Sequence, residues 1–367
     1  MHSNWRTTTL GEALPFSYGK NLPAKTRSHS GEFDVVTSAG VVDSHNEAYV
    51  HVPSIVIGRK GTIGSLTFCP NPVWPTDTTF FATETDACNL RFGYYLLHTL
   101  HLRELNNDSA VPGLNRSDAH ALEIHLPPRS EQVGIATVLG ALDDKIVANQ
   151  TSISKVDEIL RALWQKELSL GNIDVPLSSL ASFINGKAFT KGASGTGRVV
   201  VRIAEMNSGI SGKTVFSDFD ADPDNEVNPG DLLFSWSGTL MTKRWPYDQA
   251  IVNQHIFKVV PNGQLDLWAL RQAIDTQLEY FQMIAAGKAT TMGHIKRGDL
   301  DQEVEVPVQM SEETNQLGNS LWGLATSLEI QNLQLARTRD ELLPLLMSGR
   351  ITVGEAEDAA DEAASES

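Results

Sequence analysis

Two stretches about 182 residues apart carry the same heptad ladder, which limits the chain to architectures that use one long helix twice. The first ladder reads Ile135, Leu139, Leu142, Ile146, Asn149, Ile153, Val156, Leu160, Leu163; the second reads Leu317, Leu321, Leu324, Leu328, Gln331, Leu335, Thr338, Leu342, Leu345. Steps of four and three alternate in both, the period of a coiled-coil seam. The segments before the ladders repeat as well. Leu10-Gly-Glu-Ala-Leu-Pro-Phe16-Ser-Tyr-Gly-Lys20 aligns with Leu177-Ser-Ser-Leu-Ala-Ser-Phe183-Ile-Asn-Gly-Lys187 at an offset of 167. Ile55-Val-Ile-Gly-Arg-Lys-Gly61-Thr62 aligns with Leu232-Leu-Phe-Ser-Trp-Ser-Gly238-Thr239 at 177, and Leu126-Pro127 with Val306-Pro307 at 180. A slow drift of this kind is what loop insertions leave in a duplicated domain, and so long a period means two domains and not a solenoid of short repeats.

Each half mixes strand and helix, an α+β pattern. Apolar runs at Ser54 to Ile57, Thr79 to Ala82, Leu232 to Phe234 and Ile256 to Val260 are bounded by Gly, Pro and Asn, as buried strands are. Helical periodicity covers Leu90 to Leu105 and Asp266 to Ile284, and Ser130 and Ser311 resemble N-caps of the long helices, with acids in the first turn. The division that follows is 1–130 for the first globular domain, 131–170 for its helix, 171–310 for the second domain, 311–350 for its helix and 351–367 for an acidic, disordered tail.

Geometry then constrains the pairing of the helices. From Ile135 to Leu163 a helix is about 42 Å long, whereas the connection Leu170 to Pro176 spans at most about 25 Å. The second domain therefore begins near the far end of the first helix. A second helix running back along it gives an antiparallel coiled coil with pseudo-two-fold symmetry. The seam residues Leu139, Leu142, Ile146 and Asn149 then face Leu321, Leu324, Leu328 and Gln331. Asn149 and Gln331 each stand fifth of nine, so they meet at the middle and either fix the register or are tolerated beside a partner. Pro344 ends or kinks the second helix in its last turn.

Charge and composition narrow the function. The net charge is −16; the stretch after Val353 supplies six acids and no base, which leaves −10 for the rest. A solitary non-specific nucleic-acid binder is basic, so DNA binding here needs local basic clusters or a partner's charge. No apolar run reaches the roughly 18 residues of a membrane span, no leader pattern is visible, and a cytoplasmic location is expected. Cys69 and Cys88 are the only cysteines and read as free thiols. Catalytic signals are weak. Gly209 to Thr214 lacks the Walker spacing, His98 and His101 read as one helix face, and there is neither an adenine-methyltransferase loop nor an acid–lysine nuclease cluster. No metal, cofactor or catalytic residue is expected.

Four segments then carry a specific resemblance: Ile57-Gly-Arg-Lys-Gly-Thr-Ile-Gly64, Trp74-Pro-Thr-Asp-Thr-Thr-Phe-Phe81, Glu131-Gln-Val-Gly-Ile-Ala-Thr-Val-Leu-Gly-Ala-Leu-Asp-Asp-Lys-Ile146 and Thr338-Arg-Asp-Glu-Leu-Leu-Pro-Leu-Leu-Met-Ser-Gly-Arg-Ile351. In this order the chain resembles the specificity (S) subunit of type I restriction-modification systems, over residues 7 to 353. The resemblance implies two target recognition domains, each reading one half of a bipartite site in double-stranded DNA. It also implies a helical ruler that sets the gap, and a non-catalytic role within an ATP-dependent complex. The partners it implies are two adenine methyltransferase subunits and, through them, restriction subunits.

Arg and Lys read guanine, Asn and Gln read adenine, and hydroxyls and cations hold phosphates. On that chemistry the DNA-binding candidates in the first domain are Lys20, Arg59, Lys60, Thr62, Thr78, Asn115 and Arg116. In the second they are Lys187, Lys191, Ser237, Thr239, Lys243, Arg244, Lys296 and Arg297. The doublets Arg59-Lys60 and Lys243-Arg244 lead both sets; each is otherwise a solvated surface pair. Gly61-Thr62 and Asp77-Thr78 recur in the family, as a structural turn or as a phosphate contact. A coiled-coil scaffold that has lost DNA reading, or a competing S subunit, is the alternative. A nuclease is a third reading, disfavoured by the missing acid–lysine cluster.

Overall fold

The computed structural model describes residues 4–105, 113–287 and 293–365. The chain divides into two compact units, one made of residues 1–145 with 335–366 and the other of residues 146–334. Both boundaries fall inside the long helices Arg129–Leu170 and Glu312–Met347.

In the first unit, strand Arg6–Thr9 pairs antiparallel with Glu123–Leu126, closing the globular part just before the first long helix. A four-stranded antiparallel sheet follows in the order Ser17–Tyr18, Thr79–Thr83, Ser54–Gly58, Leu66–Cys69. Ser54–Gly58 is buried throughout because it is central, with neighbours on both sides and helix Leu90–Thr99 near it. A second sheet orders Gly40–His45, Phe33–Thr37 and Val73–Pro75, the last two parallel. The predicted helix beyond Leu90 stops at Thr99, and a 3₁₀ turn covers Leu102–Leu105; between them His101 takes a positive φ of 45°.

The second unit repeats this plan. Asn172–Pro176, expected as a bare connection, is a strand paired antiparallel with Glu303–Pro307. The central sheet runs Ala181–Asn185, Ile256–Pro261, Leu232–Ser235, Met241–Arg244, and a second sheet holds the parallel pair Arg198–Val201 and Ala250–Val252. The periodic segment from Asp266 breaks into helices Leu267–Asp275 and Leu278–Gly287.

Within each unit the two long helices run antiparallel. In the first, Arg339 reaches Asp143 at 2.6 Å and Val353 lies against Gly134. In the second, Asn149 bonds Gln331, and Glu167 accepts from Ser311 and Thr314. Residue numbers rise on one helix as they fall on the other. Ser311 caps its helix, its Oγ accepting from the Thr314 N–H at 3.2 Å. Ser130 does not cap: the helix starts at Arg129, and the N–H groups of Glu131 and Gln132 return to the Pro128 carbonyl.

The ladder of the first helix is buried at Ile135, Leu139, Leu142, Asn149, Val156 and Leu160. The second departs from it. Leu317 and Leu324 are 46% and 48% exposed, so Leu324 is not a seam residue, and Leu321 and Leu328 are only half-buried. The covered positions there are Thr314, Gly318, Trp322 and Ala325. Gly318, Trp322 and Ala325 each stand one position past the predicted Leu317, Leu321 and Leu324, so the covered face is the one turned toward Trp268 and Gly230. The cause is Trp268, whose indole sits so close to Gly318 that a Cβ there would lie 2.3 Å from its Cε2. The Trp322 indole donates to the Gly230 carbonyl at 3.0 Å, fixing the same face to the globular part of the unit.

The acidic tail, expected to be disordered, forms helix Val353–Ser365. Thr352 and Glu355 make a reciprocal capping box, with Thr352 N–H and Oγ1 each 2.8 Å from the Glu355 carboxylate and Glu355 N–H donating back at 3.3 Å. Ala356 is fully buried, and alanines carry the helix between the acids.

Candidate nucleic-acid interface

In the first unit the backbone gathers the basic candidates around one turn. The N–H groups of Arg59 and Lys60 both donate to the Thr78 carbonyl, at 2.9 and 3.0 Å. Lys20 N–H donates to the Pro75 carbonyl, and Leu114 N–H donates to the Arg59 carbonyl, which brings Asn115 and Arg116 alongside. The Thr78 hydroxyl is 2.9 Å from that of Thr76 and is only half exposed. At the centre is Tyr18, 46% exposed, which the sequence candidates omit. The Arg59 and Arg116 guanidinium carbons lie 5.0 and 4.7 Å from its ring centroid, and Arg59 is also 5.6 Å from Phe80. Lys20 Nζ stands 5.4 Å from the Trp74 ring and 5.5 Å from Tyr49. An aromatic face orders a cation without using up its N–H groups, which remain available to an anion.

Two candidates play local parts. The Asn115 side-chain carbonyl caps helix Arg116–His120, accepting from Ser117 N–H at 2.8 Å. Thr62 is exposed in the turn after Gly61, whose φ of 78° suits glycine.

The second unit builds the same site on the same backbone with other side chains. Trp236 N–H donates to the His255 carbonyl as Arg59 N–H does to Thr78, and Ile295 N–H donates to Trp236 as Leu114 N–H does to Arg59. Asn185 pairs with Phe257 as Tyr18 pairs with Phe80. Lys187 N–H reaches Val252 as Lys20 N–H reaches Pro75. Asn185, Trp236, Lys187, Lys296 and Arg297 thus stand where Tyr18, Arg59, Lys20, Asn115 and Arg116 stand in the first unit. The Trp236 indole donates to the Asn185 side-chain carbonyl at 2.9 Å, and its ring packs 4.9 Å from His255 and 6.4 Å from His294. Asn185 and Arg297 line one open cleft with Asp224 and Asp301. Lys187 is ion-paired with Asp222, both side chains more than half exposed.

Of the remaining candidates, Lys191, Thr239 and Lys296 are exposed, and the Lys296 N–H donates to Asp299 at 2.7 Å. Ser237 is buried, in a backbone bridge with His294. Tyr18, Asn185 and Trp236 are not among the candidates, whose uncharged members are threonine, serine and asparagine at other positions of the repeat. The signal that could have found them was the repeat itself, which sets Tyr18 opposite Asn185 and Arg59 opposite Trp236.

Lys243 and Arg244 are a correction. Along their strand, Met241–Arg244, half-buried and buried residues alternate, which turns Arg244 toward the long helices and Lys243 to the opposite face. Lys243 Nζ donates to the Met206 carbonyl at 2.8 Å, and burial pushes its pKa down. Arg244 is 2% exposed, bound to Glu329 through two hydrogen bonds of 2.9 and 3.1 Å, 3.6 Å from Asp157 and stacked 4.7 Å from Trp322. Arg244 holds the domain to the long helices, whereas Lys243 is tied to helix Ile203–Ser208 within the domain.

The weak catalytic signals resolve into structure. Gly209 to Thr214 is a turn with Gly209 at φ 75°. His98 packs edge-on to Tyr94, and burial holds its pKa down. Burial pushes the thiols of Cys69 and Cys88 up to about 12. Among the described residues no group of three or more His, Cys, Asp or Glu is placed to hold a metal, and no helix is long and apolar enough to cross a membrane.

Comparison with known proteins agrees with this layout. Residues 2–158 match the family described as "Type I restriction modification DNA specificity domain". The type I restriction enzyme EcoDI specificity subunit of Escherichia coli is 25% identical over 170 residues, 45% of this chain but only 37% of that relative's length. Among solved structures, the S subunit of a type I restriction-modification system from M. genitalium has a TM-score of 0.60 and 15% identity, covering 94% of this chain and 96% of that one. The HsdS subunit from Thermoanaerobacter tengcongensis aligns with 99% of this chain at 14% identity, with a TM-score of 0.31. Residues 2–158 therefore resemble a type I DNA specificity domain, and the fold is similar to that of the M. genitalium S subunit.

Proposed function

We propose that this chain is the DNA-reading subunit of a type I restriction-modification complex. It performs no chemistry itself; it recognises a bipartite target in double-stranded DNA and recruits two adenine methyltransferase subunits and, through them, the restriction subunits. Residues 1–130 and 171–310 act as the target recognition domains, and helices 131–170 and 311–350 as the spacer. The observation that carries this reading is the duplicated edge of cations and aromatics, built on the same hydrogen-bond register in both domains. Two copies of one binding edge fit a target with two halves. The acidic balance fits a protein that binds DNA tightly only with its partner, since most of the affinity for DNA comes from phosphate neutralisation.

The test is retention of duplex DNA by the chain with and without its methyltransferase subunit, together with mapping of methylated adenines in the host. The expected result is sequence-dependent retention with the partner present and methylation at two short blocks separated by a fixed, unread gap. No sequence-dependent retention in either case would leave the scaffold reading. One heptad added to both long helices adds about 10.5 Å of helix and should widen the gap; an unchanged site would rule out the ruler.

A further inference from the structure

The internal duplication separates two kinds of DNA contact, given the DNA-reading function proposed above, on which this inference rests. Two domains that meet the same duplex share the phosphate backbone and differ in the bases before them. Positions equivalent in backbone and alike in side chain therefore fit phosphate; positions equivalent in backbone and unlike in side chain fit base edges. Arg116 and Arg297 are alike, as are Lys20 and Lys187, and Thr62 and Thr239. Tyr18 and Asn185 differ, and so do Arg59 and Trp236, although these pairs share strand register and hydrogen bonds.

We infer that Arg59 reads a guanine in the half-site of the first domain and Asn185 an adenine in that of the second. Tyr18 and Trp236 are the groups that orient them. Stacked over Tyr18 and Phe80, the Arg59 guanidinium is pre-ordered and keeps N–H groups for the O6 and N7 acceptors of guanine. The Trp236 indole, donating to the Asn185 carbonyl oxygen, sets the direction of that amide. Its second lone pair and its NH₂ group then match the N6 donor and N7 acceptor of adenine. Arg116 and Arg297, each just after the segment that bonds residue 59 or 236, hold the flanking phosphates.

Selection from a pool of random duplexes by the full chain co-purified with its methyltransferase subunit tests this, with thermal unfolding confirming that each variant is folded. Arg59→Lys keeps the charge but loses the planar fork. It should lose preference for one guanine in one block on the order of 10-fold, leaving the other block intact. Asn185→Ser should do the same for an adenine in the other block. Arg116→Ala and Arg297→Ala should select the unchanged motif with weaker binding, and a log–log salt slope smaller by about one. The assignment is overturned if Arg59→Lys selects the wild-type motif, if it alters both blocks, or if Arg116→Ala changes a base preference. A wild-type chain that selects no motif at all would overturn the specificity-subunit reading itself, an outcome visible before any variant is compared.

Discussion

The side-chain amide of Asn149 donates to that of Gln331 across 2.6 Å, and a second bond of 2.9 Å runs to Asn332. Asn149 and Gln331 are almost fully buried. Replacing either one by Leu leaves a buried amide short of a partner, and each single change should destabilise by ~1–3 kcal/mol. The double replacement should recover most of that loss, because two apolar side chains suit the seam. A double-mutant cycle by urea unfolding measures the difference; strictly additive losses would show that the pair is not coupled.

Arg244 gives the sharpest contrast between a basic residue that holds the fold and one that faces solvent. Arg244→Ala removes the cation between Glu329 and Asp157 and should destabilise by about 3–5 kcal/mol. Lys60→Ala, on an exposed side chain, should stay within about 0.5 kcal/mol of the parent. Thermal unfolding of the two variants decides it, and equal midpoints would refute the structural role of Arg244.

Two glycines of the second long helix predict opposite signs. At Gly318 a methyl group meets the Trp268 indole, so Gly318→Ala should destabilise by ~1–3 kcal/mol. At Gly323 a Cβ meets nothing within 4 Å, so Gly323→Ala should stabilise by about 0.5–1 kcal/mol through helix propensity. Stabilisation at both positions would mean that the indole yields.

Hydrogen bonds from Thr314 and Ser311 hold the Glu167 carboxyl below its ordinary pKa. A carboxyl whose pKa falls on folding stabilises fully above the unfolded value, and that stability is lost as pH drops through the folded one. Urea midpoints of the parent should therefore decline below about pH 4.5, and Glu167→Gln should decline less. An identical acid limb in both proteins would remove Glu167 from the account.

The parts of the fold that could be read in advance are those set by local periodicity. The first ladder is buried at six of its nine positions and half-buried at Ile146, Ile153 and Leu163, and the meeting of Asn149 with Gln331 follows from counting along both ladders. Leu317 and Leu324 misled because a heptad marks an apolar stripe without saying which neighbour covers it; here Trp268 claims the adjacent face. Arg244 misled because its neutralising partners Asp157 and Glu329 lie 87 and 85 residues away, beyond any local signal. The tail was a different failure: Thr352 and Glu355 are a capping box in plain view, outweighed by the run of acids.

The division of the chain also sets an order of assembly. Residues 146–334 are one uninterrupted stretch, whereas the first unit needs residues 335–366 to cover the helix that follows its own sheets. At about 5–20 residues per second, ribosomal synthesis places roughly 10–40 s between the two parts of the first unit. During that interval Ile135, Leu139 and Leu142 lack their partner helix, and the nascent chain presents an apolar stripe to chaperones or to neighbouring copies. The unit that leaves the ribosome first is the one completed last.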